Sequence, residues 1–128
     1  MEQLILHLIG DYLTQSDWMA QNKTKDSWAA WVHANVYSFP FLLLTGFAPR
    51  GAFAWMVIFV THFFIDRFRL ARYVIWAKNW LGWGNLPWKD CSATGYRPDA
   101  PAWLAVWLMI IADNTLHLTI NYCAIRWL

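Results

Sequence analysis

Charged side chains are scarce in this sequence. They make up 14% of its 128 residues, against about 25% in an ordinary soluble domain. A surface so short of charge is not one built to face water all round. Cysteine is scarce too: Cys91 and Cys123 stand alone, without motif spacing, which excludes a disulfide framework and a Cys-rich zinc motif. No nucleotide-binding glycine motif and no nucleophile elbow occurs. The N-terminus lacks a basic leader and a small-residue cleavage site, and it carries Asp11 and Asp17 where a cleavable signal would be apolar or small. No apolar run reaches the 18 clean residues of a simple single-pass span.

What is present is apolar and aromatic. Hydrophobic residues reach 59%, with eleven tryptophans. The runs that could cross a membrane are each interrupted by a few polar residues, the pattern of a multispanning protein with a functional polar interior. The expected fold is an all-α polytopic membrane four-helix bundle, a single integral-membrane domain over 1–128. An interfacial basic helix and a long loop would lie between helices 3 and 4.

The interrupting residues share a spacing. His62 and Asp66 in THFFIDRFR stand four apart, as do His7 and Asp11 in LHLIGDYL and, reversed, Asp113 and His117 in ADNTLHL. On a helix such pairs lie one above the other on one face. His33, in WVHANVY, has Tyr37 at the same offset. Every histidine of the chain is thus in an apolar segment, and three of the four have a carboxylate one turn away.

Segment one is expected from Leu4 to Gln21, with His7, Asp11 and more loosely Gln15 as its polar stripe, and Asp17 near its end as a cap or headgroup-level residue. The turn QNKTKDS follows, with Asp26 or Ser27 placed to cap the next helix. Segment two runs from Trp28 to Phe47, with Pro40 expected to kink it or free a carbonyl. Segment three begins at Ala52 and is lipid-compatible to Ile65. It is expected to continue as one helix past Asp66, then turn into a basic, aromatic stretch carrying Arg67, Arg69, Arg72 and Lys78 before Gly82. The irregular stretch from Gly82 to Pro101 holds three prolines and three glycines. Segment four spans Ala102 to Leu128.

Basic residues set the orientation. Lys23, Lys25 and the cluster from Arg67 to Arg97 place those connections in the cytoplasm and both termini outside it. Trp18, Trp28, Trp31, Trp76, Trp80, Trp83, Trp88 and Trp103 fall near segment ends, as an interfacial belt requires. That role leaves little for a base-stacking one, and no nucleic acid is expected as a partner.

An isolated carboxylate inside a membrane costs about 2.5–3.5 kcal/mol on insertion scales. Asp11 and Asp113 have no Lys or Arg near them on their own helices. Imidazole with carboxylate is a ligand set for Zn²⁺, Mn²⁺ or Fe²⁺, and helical bundles build such sites from i, i+4 pairs. His7, Asp11, His33, His62, Asp66, Asp113 and His117 are therefore candidate ligands for one or two divalent metals. Asp11 or Asp17 would serve as general base and Tyr37, with Asn35 and Asn114, as orienting groups. Gln15, Lys23, Arg67, Arg69 and Arg72 would hold substrate. The same pattern also fits a proton or cation pathway, or a structural polar network.

The run HLIGDYLTQSDWMAQNKT, the His33–Tyr37 pair, THFFIDRFRLARY and DNTLHL together resemble a family of small integral-membrane proteins of bacteria and their phages, a domain of unknown function. That resemblance covers nearly the whole chain and implies a location in the bacterial inner (cytoplasmic) membrane, with no activity attached. More remotely, the His-x-x-x-Asp pattern is similar to predicted membrane-bound metal-dependent hydrolases. The leading expectation is a membrane-embedded metal-dependent hydrolase with membrane lipid around it and a lipid or lipid-linked phosphoester as substrate. The alternatives are a small proton or cation channel or transporter, and a phage-type membrane accessory protein with a structural polar core.

Overall fold

The computed structural model describes residues 1–84 and 86–128; residue 85 and the side chain of Trp83, which the aromatic belt included, lie outside the described residues. The fold is all-α, with no strand among the described residues. The order is α1 (Glu2–Leu8), a π-helix (Ile9–Leu13), α2 (Asp17–Asn22), α3 (Ser27–Thr45), α4 (Pro49–Phe68), α5 (Ala71–Trp83), α6 (Trp88–Cys91) and α7 (Ala102–Trp127). Two compact units result, one from Met1–Phe68 with His117–Leu128, the other from Arg69–Leu116.

The first unit is built on the α3–α4 pair. Asp26 rather than Ser27 caps α3, its Oδ2 accepting from Ala29 N at 2.9 Å. The helix runs on through Pro40 to Gly46, whose positive φ of 80° ends it in a conformation that favours glycine. Pro49 opens α4 at the first helical position, where its missing N–H is not needed. Arg67 near the end of α4 reaches back to Thr24 O at 2.9 Å and Ser27 Oγ at 3.1 Å, so the end of α4 lies beside the start of α3. Trp55 Nε1 donates to Ser38 O further along the same antiparallel pair.

Helix α4 buries ionisable residues among apolar ones and leaves other large apolar residues exposed. Ala54, Ile58, His62, Ile65 and Asp66 are buried, while Phe53, Met56, Val60 and Phe64 are exposed. On α3, Phe39 and Leu43 are exposed and His33 and Ser38 are buried. His62 and Asp66 face inward beside Ile58 and Ile65 while several large apolar side chains face outward, which is what hydrocarbon around the helices would stabilise. Two helices, Pro49–Phe68 and Ala102–Trp127, are long and apolar enough to cross a membrane.

Segment one departs from expectation. Its 4–21 stretch is not one helix: α1 passes into the π-helix at Ile9, the chain leaves helix after Leu13, and Ser16 caps a separate α2. Asp17 is therefore the first residue of α2, one place after the capping residue. The twelve residues from Glu2 to Leu13 rise about 18 Å at 1.5 Å per residue, short of a hydrocarbon core of about 30 Å. The Gln15 stripe position is lost with the helix.

Segment three continues past Asp66 and then turns, and the turn comes early. The helix continues only to Phe68, and Arg69 adopts a positive φ of 52° that breaks it from α5. In the second unit, the stretch after α5 is packed rather than loose. Trp76 Nε1 donates to Leu86 O at 2.8 Å, Asn79 Nδ2 to Gly95 O at 3.2 Å and Arg72 to Ser92 O at 3.0 Å. Gly95 has φ 81°, and a Cβ there would meet Arg72 O at 2.2 Å. Cys91 is buried, which pushes its thiol pKa up and leaves it a poor nucleophile.

Candidate metal centre

Five elements of the first unit send polar side chains to one place. His7 comes from α1, Asp11 from the π-helix, His33 and Tyr37 from α3, His62 and Asp66 from α4, and His117 and Asn121 from the last part of α7. All of these are buried, the least covered being Asp11 at 7% exposure.

The π-helix is why Asp11 arrives there. A π-turn is a wide turn that recurs at functional sites. Here it carries Gly10 against α3, where a Cβ would stand 2.5 Å from the Tyr37 ring and 3.2 Å from its Cα. Only glycine permits that approach without displacement, and Asp11 is the next residue.

The centre of the cluster is a set of four atoms. His33 Nε2 lies 3.1 Å from Asp11 Oδ1, 3.0 Å from Asp66 Oδ2 and 3.0 Å from His62 Nε2. His62 Nε2 lies 3.1 Å from Asp66 Oδ2 and 3.6 Å from Asp11 Oδ1. Each of these four residues offers a ligand atom within 4.8 Å of those of the other three. A ring nitrogen carries one proton or one lone pair, so His33 Nε2 cannot hydrogen-bond all these neighbours at once.

His117 fixes the state of His62 when both rings are neutral. Asp66 Oδ1, an acceptor, lies 3.3 Å from His117 Nε2, so that nitrogen carries the proton. His117 Nδ1 is then an acceptor, and His62 Nδ1, 3.1 Å away, donates to it. His62 Nε2 is left with its lone pair aimed at the four-atom centre. A carboxylate–histidine relay of this kind orients ligands in metal sites.

Around this centre runs a supporting layer. Asn121 Nδ2 donates to the Tyr37 hydroxyl at 2.7 Å, and that hydroxyl lies 2.8 Å from His7 Nδ1. His7 Nδ1 is 3.5 Å from Asp11 Oδ2. The Tyr37 ring stacks on His62 with centroids 3.5 Å apart. His7, Tyr37 and His117 thus hold the groups that form the centre.

Lys23, expected from the sequence to hold substrate, stands within the cluster itself. From the connection after α2 its Nζ reaches Asp66 Oδ2 at 2.9 Å, His33 Nε2 at 3.1 Å and Asp11 Oδ1 at 4.0 Å. Asp11 and Asp66 therefore have a basic partner at their own depth, supplied by the neighbouring turn and not by their own helices.

The remaining candidates stand outside the four-atom set. Asp17 is exposed at the start of α2 and is not part of the buried cluster. Gln15 is half-buried after the π-helix. Arg67 is engaged with Thr24 and Ser27. In the second unit Arg69 bonds Ala93 O, and Arg72 lies over the Tyr73 and Trp88 rings. Asp113 is half-buried one turn before His117 on α7. Asn35 bonds the Trp31 carbonyl of its own helix. Gly10 and Asn121 were not anticipated in the site. An isolated glycine within an apolar helical pattern is the one signal that pointed to the first.

No curated protein and no solved structure matches the chain. One family does, over residues 1–93, and the chain belongs to it: the family described as "Protein of unknown function (DUF3307)".

Proposed function

We propose that this protein is a multi-pass protein of the bacterial inner membrane whose His/Asp cluster binds one divalent metal and hydrolyses a lipid or lipid-linked phosphoester. The observation that carries this reading is the spacing of the four central atoms. A tetrahedral site with ligands at about 2.0–2.2 Å has edges of about 3.3–3.6 Å. Five of the six edges of the set run from 3.0 to 3.6 Å. Asp11, His33, His62 and Asp66 would be the ligands, with His117 orienting His62 and His7 facing Asp11. Two nitrogens and two oxygens suit Zn²⁺, Mn²⁺ or Fe²⁺.

A divalent metal held there would need a fifth position for water beyond these four ligands, and with it would lower the pKa of that water and polarise a phosphoryl oxygen. The chain's own residues do the rest. The apolar packing of Tyr37, Phe41, Ile58 and Ala124 keeps bulk water from one side of the cluster. Asp11 Oδ2, the carboxylate oxygen outside the four-atom set and beside His7, can take a proton from an attacking water. Lys23 supplies positive charge for an anionic substrate.

Depth supports a headgroup substrate. His33 lies six residues into α3, and His62 lies six residues before the end of α4, about 9 Å from the helix ends at 1.5 Å per residue. Lys23 and Arg67 mark that same end. With the positively charged connections in the cytoplasm, the cluster would sit near the inner headgroup boundary, where a phosphoester bond would be found. Helices α3, α4 and α7 would cross the membrane, and the short α1–π-helix pair would enter only part of it, instead of a fourth full span.

A second reading has its own support. His117, His62 and His33 form a continuous line of ring nitrogens at 3.1 and 3.0 Å, as a proton pathway requires. Metal analysis of the purified full-length protein in detergent, followed by phosphate release from anionic lipid substrates, separates the two. One equivalent of metal, lost together with activity in His62→Ala, supports the hydrolase. A metal-free protein that conducts protons across vesicles through His62 would replace it with the pathway.

A further inference from the structure

We infer that Lys23 is the cluster's stand-in cation: its ammonium holds the ligand atoms together when no metal is bound and leaves them as a divalent metal enters. This rests on the metal-centre reading above and goes beyond it, because it assigns the site a charge exchange.

The geometry carries the inference. Lys23 Nζ lies 2.9 Å from Asp66 Oδ2 and 3.1 Å from His33 Nε2. These are two of the four atoms that the metal would share. A dication about 2.0–2.2 Å from Asp66 Oδ2 would lie within about 5 Å of an ammonium that remained in place. Both cations compete for the same carboxylate lone pairs, and like charges at that distance repel strongly where water is excluded. Asp11 and Asp66 together carry two negative charges, so one ammonium offsets half of what a divalent metal offsets in full.

Lys23 is also built to move. Its side chain is 18% exposed, whereas His33 and Asp66 are 0% and 4% exposed. It stands on the short connection between α2 and α3, not within either helix. The turn itself is fastened, by Arg67 to Thr24 O and by Asp26 to Ala29 N. The backbone can therefore stay fixed while the four-carbon stem swings the ammonium outward. Once out, that ammonium remains at the mouth of the cluster, placed to meet an anionic oxygen of a phosphoester. Binding of metal would thus create the substrate's positive contact in the same step that fills the centre.

Cobalt titration of the full-length protein in detergent, read by the visible absorption of tetrahedral Co²⁺, tests the exchange. Lys23→Met should bind Co²⁺ about ten-fold more tightly than the unaltered protein, within the usual range of coupling between competing sites. Lys23→Arg, which keeps the charge, should bind no more tightly than the unaltered protein. Equal or weaker binding by Lys23→Met, beside an unaltered protein that does bind, overturns the exchange and leaves the metal centre standing. An unaltered protein with no cobalt signal removes both. Should Lys23→Met fail to fold, reductive methylation of the unaltered protein, read by mass spectrometry with Lys25 and Lys89 as internal references, decides the matter. Zinc should accelerate labelling of Lys23 alone; an unchanged or slower rate overturns the exchange.

Discussion

His33 and His62 face each other through their Nε2 atoms at 3.0 Å, one from each helix of the antiparallel α3–α4 pair. Two like atoms at that distance share either a proton or a cation. Asp11 Oδ1 and Asp66 Oδ2 close on the same point, so removing any one of the four should cost more than one hydrogen bond. His62→Ala and Asp66→Asn are each expected to lower the metal content of purified protein from about one equivalent to below about a tenth, the loss expected when a ligand of a four-coordinate site is removed. Asp17→Asn, at an exposed position, should retain the full content. Metal retained in both cluster variants would show that the four atoms are not the ligands.

His117 acts on the centre through His62 and Asp66. His117→Gln should weaken metal affinity by about 10–100-fold without abolishing it, the usual effect of removing a group that orients a ligand. Competition against a chromophoric chelator measures it. A complete loss would make His117 a ligand itself, and no change would dissolve the relay.

Tyr37→Phe removes the hydroxyl held between Asn121 and His7. Two buried polar groups lose a partner, at about 1–3 kcal/mol each. The expected result is a lower midpoint in thermal unfolding followed by circular dichroism in detergent, while the stacking of the ring on His62 survives. A variant as stable as the parent would mean that the trio is not under tension with solvent.

Gly10→Ala puts a methyl group 2.5 Å from the Tyr37 ring. Overpacking of this kind costs about 1–3 kcal/mol, and the shift it forces would move Asp11. Stability and metal affinity should fall together, and a variant that loses only stability would separate the packing from the site.

Sidedness follows from the basic residues. With the native cysteines replaced, Thr24→Cys should resist a membrane-impermeant thiol reagent in intact cells, and Ala48→Cys, at the opposite end of the α3–α4 pair, should react. The reverse pattern would invert the proposed orientation and remove the cytoplasmic-headgroup argument.

Much of the cluster was legible in the sequence, for a physical reason. His62 and Asp66 lie four apart within an apolar helix, and helical periodicity alone puts them on one face. The cost of burying that face then demands partners, which His33 and His117 provide. Asp26 was legible as a cap because its side chain acts within three residues of itself. What escaped was whatever depends on the path of the chain between helices. Lys23 enters the cluster through the turn after α2, and no periodicity describes a turn. Arg69 breaks α4 from α5 by a positive φ that a non-glycine residue adopts only when its surroundings hold it there. Asn121 shares its helix with His117 at the same four-residue offset, yet it reads as an ordinary polar residue until Tyr37 is brought beside it.

The π-helix has a consequence for how this chain can change over generations. A π-turn accommodates one residue more than the α-turn it replaces. Loss of one codon within 9–13 would let those residues close into an ordinary α-turn, with the helix before it, His7 included, still facing much as it did. What would go is the wide turn itself, and with it the approach of Gly10 to Tyr37 that delivers Asp11. The family's tolerance for a lost residue across those five positions should therefore be decided by Asp11, not by the direction of the helix.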